Sequence, residues 1–196
     1  STGAVELGQG GNTIMTQIAA EALSMPIEAV YYSASIDTDI SPHEWQTVAS
    51  HTTWAVGNAI RLAAKDALDQ IRSAAAEVFG VGMDDLVTAD GKVYPSGHPE
   101  QAIPYARFAT GFRRENGSAV NPPVVGRGSF VPKGLTFPDP ATGQGNVAAS
   151  WTFGCQAADI ELDTLTGKIH VMRLISVQDA GRVINPLSAR GQVEGA

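Results

Sequence analysis

Residues 50–76 read SHTTWAVGNAIRLAAKDALDQIRSAAA, an alanine-rich stretch that gives the clearest helical signal in the chain. Its small and apolar positions recur at three- and four-residue spacing, which places them on one face of a helix; they are Ala59, Ala63, Ala67, Ile71 and Ala74. Ser50 stands at the start, where a hydroxyl can cap the first turn. The stretch therefore predicts a long helix that is packed along one face.

Two strands and a shorter helix are predicted ahead of this helix. Residues 4–7 form an extended run, and the glycine-rich residues 8–11 turn the chain into a helix that Asn12 can cap. Pro26 ends that helical pattern, and residues 29–36 are rich in β-forming side chains. The first part of the chain thus reads as strand, helix, strand and long helix.

Strands and loops are predicted to dominate the remainder. Residues 87–94 carry the Asp-Gly signal of a tight hairpin, and 99–109 favour a short helix. Residues 117–145 are too rich in glycine and proline for long regular elements. In residues 157–177, polar and apolar side chains alternate, a turn follows, and a more apolar stretch comes after it. This pattern predicts an antiparallel hairpin. The pair 185–186, Asn-Pro, is typical of the start of a helix.

The predicted fold class is α+β, with two-layer β-α-β units whose mixed or antiparallel strands pack against helices. Three regions follow from the change of pattern along the chain. They are a strand-helix-strand-helix region at 1–81, a loop-rich connector with a hairpin at 82–147, and a hairpin with the start of a helix at 148–196.

Composition and charge exclude several functions. Thirteen Lys and Arg against twenty Asp and Glu give a net charge of −7, so a nucleic-acid partner is not expected. Cys155 is the one cysteine, which excludes an internal disulfide and any cysteine cage built from this chain alone. No apolar run is long enough to span a membrane, and no signal-peptide pattern begins the sequence. A soluble, cytoplasmic protein is expected.

Three segments carry groups that can hold a ligand. The turn Gly8-Gln9-Gly10 precedes a helix, where free N–H groups attract an anion, but it matches neither a dinucleotide-binding fingerprint nor a P-loop. Residues 47–53 hold four hydroxyl groups and an imidazole. Residues 188–194 place Gln192 in the last helix. Taken alone, the glycine turn is as consistent with a plain turn, whereas the second segment is better explained by a helix cap at Ser50 and the third by a solvated helix face.

Catalytic and metal patterns are lacking in the sequence. The four histidines are scattered without the spacing of metal ligands. Cys155 has no thiol neighbour, and no Gly-x-Ser-x-Gly elbow occurs. No catalytic residue and no metal ligand is predicted within this chain.

Taken together, the order and the residues of these segments resemble those of the molybdenum-cofactor-binding subunit of molybdenum hydroxylases, the xanthine dehydrogenase and aldehyde oxidase group. The resemblance covers nearly the whole chain and is carried by three sets of motifs. They are Glu6-Leu7-Gly8-Gln9-Gly10; Asp37-Thr38-Asp39 through Ala49-Ser50 to Gly57-Asn58-Ala59; and Leu165-Thr166-Gly167 with Asp179-Ala180-Gly181-Arg182-Val183-Ile184-Asn185-Pro186 and Gly191-Gln192-Val193-Glu194-Gly195.

The resemblance implies a role for several of these residues. It implies that the pterin cofactor, molybdopterin, is bound by Gly8, Gln9, Gly10, Ala49, Ser50, Thr52 and Gln192. It also implies that Val48 and Ala49 lie near the metal and the substrate. Glycine turns and helix starts suit a phosphorylated, heteroatom-rich pterin.

The implied reaction is the hydroxylation of an aldehyde or N-heterocycle with water as the oxygen source. Electrons would leave through iron–sulfur clusters and often flavin (FAD) on partner domains or subunits. The family's catalytic glutamate is expected downstream of this chain, and an earlier glycine-rich segment upstream, so the sequence resembles an internal piece of a larger subunit. Alone it is expected to be inactive, to hold the cofactor weakly or not at all, and to self-associate.

Two other readings stay open at this point. The chain could be a stand-alone module that binds an anion or nucleotide with the same glycine turns, or a non-catalytic scaffold for subunit contacts. The sequence leaves open the substrate, the mononucleotide or dinucleotide form of the pterin, the electron acceptor and the oligomeric state of the intact enzyme.

Overall fold

The computed structural model describes residues 1–33 and 35–195. They divide into two compact units, Ser1–Val131 and Pro132–Ala196. The first contains the helices α1 (Gly11–Ala22), α2 (Thr52–Phe79) and α3 (Ala106–Ala109), the strands β1 (Leu86–Ala89), β2 (Lys92–Pro95) and β3 (Ile103–Pro104), and 3₁₀ turns at Ile27–Ala29, Met83–Asp85 and Pro99–Gln101. The α+β class, with small antiparallel sheets beside helices, is confirmed.

Helix α2 is the long helix that the sequence predicts. It begins at Thr52 after His51, so Ser50 does not cap it, and the cap position makes no side-chain hydrogen bond. It ends at Phe79. The following residue, Gly80, adopts a left-handed conformation with φ of 70°, and its N–H donates to the carbonyl of Ala76. Glycine takes that conformation without the Cβ clash that other residues suffer, and this ends the helix.

The larger core of the first unit lies between α2 and the antiparallel sheet β1-β2-β3. The predicted Asp-Gly hairpin is confirmed, because Ala89 pairs with Lys92 around that turn. Ala75, Val93 and Phe108 are fully buried. Phe108 stacks on Phe112 with ring centroids 5.0 Å apart. A second cluster, Ala4, Met15 and Val56, holds α1 against α2.

Within the described residues, the two strands predicted around α1 do not form. Residues 4–7 and 30–33 belong to no strand, and residues 27–29 form a 3₁₀ turn. Ala34, inside the second predicted strand, lies outside the described residues. Among the described residues no strand flanks α1, and side chains bind the backbone of residues 5 and 7 instead.

A strap of extended chain, defined as residues 124–130, crosses α2. The Gln70 side chain donates to the carbonyl of Val125 at 3.1 Å and accepts its N–H at 3.3 Å. Gly128 lies so close to the helix that an added Cβ would sit 2.2 Å from the carbonyl oxygen of Ala59. Residues 110–152, all of them described, contain no helix and no strand beyond one isolated bridge, as their composition predicts.

The second unit contains a long hairpin and a helix. Strands β4 (Phe153–Leu162) and β5 (Ile169–Asp179) pair antiparallel, and α4 spans Pro186–Gly195. The Ser188 N–H donates to Oδ1 of Asn185 at 3.0 Å. The predicted hairpin and the predicted Asn-Pro helix start are both confirmed. No helix in the described ranges 1–33 and 35–195 is both long and apolar enough to cross a membrane.

Candidate functional site

The predicted anion site at the start of α1 is filled by a side chain of the chain itself. The Oε1 atom of Glu6 accepts the N–H groups of Gly8 at 2.9 Å and Gly10 at 3.0 Å. Its Oε2 atom accepts the N–H of Asn12 at 2.9 Å. Free N–H groups at a helix start attract negative charge, and here the Glu6 carboxylate supplies it. The expectation that these N–H groups are free for a ligand is therefore wrong.

The electrostatics of Glu6 follow from these bonds. The N–H of Asn12 lowers the pKa of the Glu6 carboxyl most. Burial, the next largest effect, raises it, and the N–H groups of Gly10, Gly8 and Gly11 each lower it further, so the pKa lies below its ordinary value. Hydrogen bonds to the charged form favour ionisation. Asn12 was expected to cap α1 with its own side chain, but the cap position is Gly10, with φ of 81° and no side chain. Glu6 performs the capping instead.

The side-chain amide of Gln9 is fixed in orientation by the backbone. Its Oε1 accepts the N–H of Leu7 at 2.6 Å, and its Nε2 donates to the carbonyl of Val5 at 3.0 Å. A primary amide has two donors and two acceptor sites, so one donor and one acceptor of Gln9 stay available to a ligand. The turn therefore offers an amide whose oxygen and nitrogen ends cannot exchange without breaking both bonds.

A hydrogen bond joins the glycine turn to the central segment. The N–H of Val5 donates to Oγ1 of Thr47 at 3.0 Å, across 42 residues of sequence. Two residues earlier, a Cβ added to Gly3 would lie 2.1 Å from the carbonyl oxygen of Pro42 and 2.9 Å from the N atom of Glu44. The close approach of the two backbones brings the first two predicted ligand segments side by side.

The central segment contains an unusual backbone turn. Ala49 and Ser50 both have positive φ, 55° and 53°, and the N–H of His51 donates to the carbonyl of Val48 at 3.3 Å. Positive φ at both central positions belongs to turns that glycine, asparagine or aspartate normally occupy. Each such residue is strained by Cβ contacts, and strain of this kind concentrates at functional sites. Ala49 and Ser50 are both among the residues to which the family resemblance assigns cofactor binding.

The polar side chains around this turn are open to a ligand. Within residues 1–33 and 35–195, neither the Ser50 nor the Thr52 hydroxyl forms a hydrogen bond; Ser50 is exposed and Thr52 half-buried. Beside them, the Nε2 atom of His51 is buried without a hydrogen-bond partner. Its Nδ1 atom lies 4.0 Å from a carboxylate oxygen of Glu44. A buried nitrogen left unpaired is expected to find a partner in the functional state.

The third segment lies in the second unit. Gln192 is exposed on α4, and none of the described residues binds its side chain. Glu194, two residues further along α4, forms an ion pair with Arg190. The Nε atom of Arg190 lies 2.6 Å from Oε1 of Glu194. Gln192 is thus available to a ligand, and its convergence with the other two segments stays a prediction.

Two participants in this site lay outside the sequence prediction. Glu6 was part of the quoted motif without a role of its own, and Thr47 was one of four hydroxyls. The sequence contained a signal for Glu6. Its carboxylate precedes a glycine turn and a helix whose cap position has no side chain, so it can bind the free N–H groups there. The pairing of Thr47 with Val5 has no local signal.

The donors are of one chemical kind. Gln9, Ser50 and Thr52 offer uncharged amide and hydroxyl groups, and the strained turn adds backbone groups. Such groups match the ring heteroatoms and phosphate oxygens of a pterin, and the Nε2 atom of His51, buried without a hydrogen-bond partner, lies beside them. In the part of the chain that the structure describes, no three His, Cys, Asp or Glu side chains are grouped to hold a metal ion.

Fold and site together define an α+β domain that presents uncharged amide and hydroxyl groups from two adjoining turns. A family model described as the molybdopterin cofactor-binding domain matches residues 1–196, and the chain belongs to that family. Its relatives are xanthine dehydrogenases and related oxidoreductases. The family resemblance noted from the sequence is confirmed.

Individual relatives place the match within larger proteins. The chain is 32% identical over 195 residues to the 6-hydroxypseudooxynicotine dehydrogenase complex subunit gamma of Paenarthrobacter nicotinovorans, covering 100% of this chain and 23% of that protein. It is 27% identical over 194 residues to the xanthine dehydrogenase molybdenum-binding subunit of Escherichia coli O157:H7, covering 99% and 24%. The chain therefore spans about a quarter of the length of these relatives.

A solved structure has the same fold. The reconstituted CO dehydrogenase from Oligotropha carboxidovorans superposes with a TM-score of 0.76 at 23% identity, covering 98% of this chain and 22% of that one. At this level of identity the likeness concerns the fold alone.

Proposed function

We propose that this chain forms part of the wall around molybdopterin in the large subunit of a molybdenum hydroxylase. The hydrogen bond from Val5 to Thr47 carries the proposal. It joins the segment whose backbone fixes the amide of Gln9 to the segment that contains Ser50 and Thr52. The relatives named as molybdenum-binding and dehydrogenase subunits support the same assignment.

In this proposal each segment binds a different part of the cofactor. The available donor and acceptor of Gln9, flanked by Gly8 and Gly10, meet the ring heteroatoms of the pterin. Ser50 and Thr52, with the backbone of Ala49, bind its polar groups, and Gln192 contributes a further amide. Hydroxyl groups suit phosphate oxygens because they donate without the desolvation of a charged side chain.

The substrate and reaction follow from the family. When bound, the molybdenum centre supplies redox chemistry for the hydroxylation of an aldehyde or N-heterocycle with water as the oxygen source. Val48 and Ala49 would border the substrate, and Val48 is 46% exposed and apolar, as a planar organic substrate requires. In this proposal the residues of this chain bind and orient the cofactor.

The partners proposed are the remainder of the large subunit and components that carry iron–sulfur clusters and flavin. The gamma-subunit relative, from a dehydrogenase complex, supports further subunits. A cytoplasmic location stays a prediction. The isolated chain is expected to be inactive and to self-associate.

The stand-alone anion-binding reading has less support. It needs the N–H groups of the glycine turn, and Glu6 occupies those of Gly8, Gly10 and Asn12. The scaffold reading needs no exposed hydroxyls or strained turn at residues 49–52. Neither reading explains the set of available polar groups.

Metal and pterin analysis of the purified full-length subunit tests the proposal. Stoichiometric molybdenum and an extractable pterin are expected. Ser50→Ala and Thr52→Val should lower cofactor content, whereas Thr53→Val, one residue along α2, should leave it unchanged. Absence of molybdenum and pterin from the unmodified subunit would overturn the assignment.

A further inference from the structure

The carboxylate of Glu6 and the amide of Gln9 bind different backbone groups of the same short loop. Glu6 accepts the N–H groups of Gly8, Gly10 and Asn12. Gln9 binds the N–H of Leu7 and the carbonyl of Val5. Every one of these bonds lies within residues 5–12, so neither side chain can move without disturbing the backbone that holds the other.

We propose that Glu6 is a positioning residue for Gln9: its carboxylate fills the N-terminus of α1 and fixes the glycine turn, so that a bound pterin meets the amide of Gln9 and not the N–H groups of the turn. This inference rests on the proposed function. It assigns the phosphate of the cofactor to other groups of the site, because the turn already holds an anion.

The geometry of the turn makes a carboxylate at residue 6 necessary. Gly8 and Gly10 have φ of 104° and 81°, a conformation that an unsupported turn leaves easily. The cap position of α1 is Gly10, which has no side chain to accept the N–H groups of the first turn. A Cβ added to Gly11 would lie 3.0 Å from Nε2 of Gln9 and 3.6 Å from Oε2 of Glu6, so both side chains lie against the same glycine.

The charge environment of Glu6 fits this role. The causes that shift the pKa of its carboxyl are backbone N–H groups and burial, with no charged side chain among them. The carboxylate is therefore committed to the backbone and is ionised throughout the neutral range. An external anion must displace it to reach the same N–H groups.

Chemical rescue tests the inference without reference to activity. In the cofactor-free full-length subunit, Glu6→Ala should unfold at a lower temperature than the unmodified protein. Sodium acetate, compared with sodium chloride at equal ionic strength, should raise that temperature more for Glu6→Ala than for the unmodified protein. Glu21→Ala, which removes the same charge from the far end of α1, should respond to acetate only as much as the unmodified protein does.

Cofactor retention tests the link to Gln9. Glu6→Ala and Gln9→Ala should each lower the molybdenum content severalfold, and the double variant should lose no more than Gln9→Ala alone, because one residue acts through the other. Glu6→Gln, which keeps an acceptor oxygen, should retain more cofactor than Glu6→Ala and serves where the alanine variant fails to fold.

Three outcomes would overturn the inference. They are acetate stabilisation of the unmodified protein equal to that of Glu6→Ala, unchanged cofactor content in both Glu6 variants, and strictly additive losses in the double variant. The proposed function fails separately, if the unmodified subunit contains no molybdopterin; the acetate experiment then still decides whether Glu6 fills the turn.

Discussion

The N–H of Val5 donates to Oγ1 of Thr47 at 3.0 Å, and this single bond ties the glycine turn to the strained turn 42 residues later. Thr47→Val removes the hydroxyl and keeps the shape of the side chain. Because the bond is exposed, the free energy of unfolding should fall by at most about 1 kcal/mol. Cofactor content should fall more than that small loss explains, since the two turns lose their alignment.

Thr53→Val is the matched control for this prediction. Thr53 is exposed, and its hydroxyl makes no hydrogen bond with the described residues. Chemical denaturation and molybdenum analysis of both variants measure the two effects. Equal cofactor content in Thr47→Val and the unmodified protein would show that the bond does not align the site.

The positive φ of Ala49 predicts a stabilising substitution. Ala49→Gly removes the Cβ that a left-handed backbone disfavours, so the free energy of unfolding should rise by about 1 kcal/mol. Ala55→Gly, in the first turns of α2, should have the opposite sign, a loss of about 1 kcal/mol. Urea titrations of the two variants measure both. A loss of stability in Ala49→Gly would mean that this turn is not strained.

The pH dependence of stability follows from Glu6. Its folded-state pKa lies below the ordinary value because the N–H of Asn12 and the glycine N–H groups stabilise the charge. A depressed carboxyl pKa contributes stability above the unfolded-state pKa, and that contribution is lost as the pH falls through the folded-state pKa. Glu6→Gln should therefore be less stable than the unmodified protein at neutral pH, and the difference should shrink on acidification.

Thermal unfolding between neutral pH and about pH 3 measures this difference. Glu21→Gln controls for the loss of one negative charge from α1. A gap between Glu6→Gln and the unmodified protein that stays constant across the whole range would contradict the role assigned to the charge.

The strap over α2 predicts that Gly128 tolerates no side chain. A Cβ there would lie 2.2 Å from the Ala59 carbonyl oxygen and 2.4 Å from the Ala63 nitrogen, both rigid helix backbone. Gly128→Ala should destabilise the first unit by about 1–3 kcal/mol or displace the strap. Gly191→Ala, on α4 with no atom near the added Cβ, should not destabilise the protein. Denaturation curves of the two variants test this contrast.

The exposed hairpin predicts self-association of the isolated chain. Strands β4 and β5 expose apolar side chains over most of their length, including Phe153 at 71%, Val171 at 63% and Val177 at 65%. An isolated two-stranded hairpin is marginally stable in water, and large exposed apolar surfaces associate. Light scattering across a concentration series should show oligomers. A monomer at every concentration would contradict the prediction.

Local signals account for what the sequence predicted well. The Asn185 cap, the Asp90-Gly91 hairpin and the alanine-rich α2 each depend on a few neighbouring residues, and all three are confirmed. Family resemblance identified the cofactor, which no single motif did. Among the described residues, no strand forms at 4–7, 29–33 or 35–36. Residues with β propensity form a strand only when another strand binds them, and that partner is not encoded locally.

Contacts distant in sequence account for what was missed. Thr47 reaches Val5 across 42 residues, and Glu6 reaches Asn12 past a turn whose conformation only its glycines permit. Neither spacing follows a helical or strand period. The strain at Ala49 and Ser50 was equally hidden, because their residue types do not favour positive φ.

A structure of the cofactor-loaded full-length subunit tests directly whether the glycine turn and the segment around Ser50 bind the same pterin. We expect the amide of Gln9 and the hydroxyl of Ser50 each to lie within about 3.5 Å of a pterin heteroatom or phosphate oxygen, with Glu6 still bound to the N–H groups of the glycine turn. A pterin bound out of reach of Gln9 and Ser50 would contradict it.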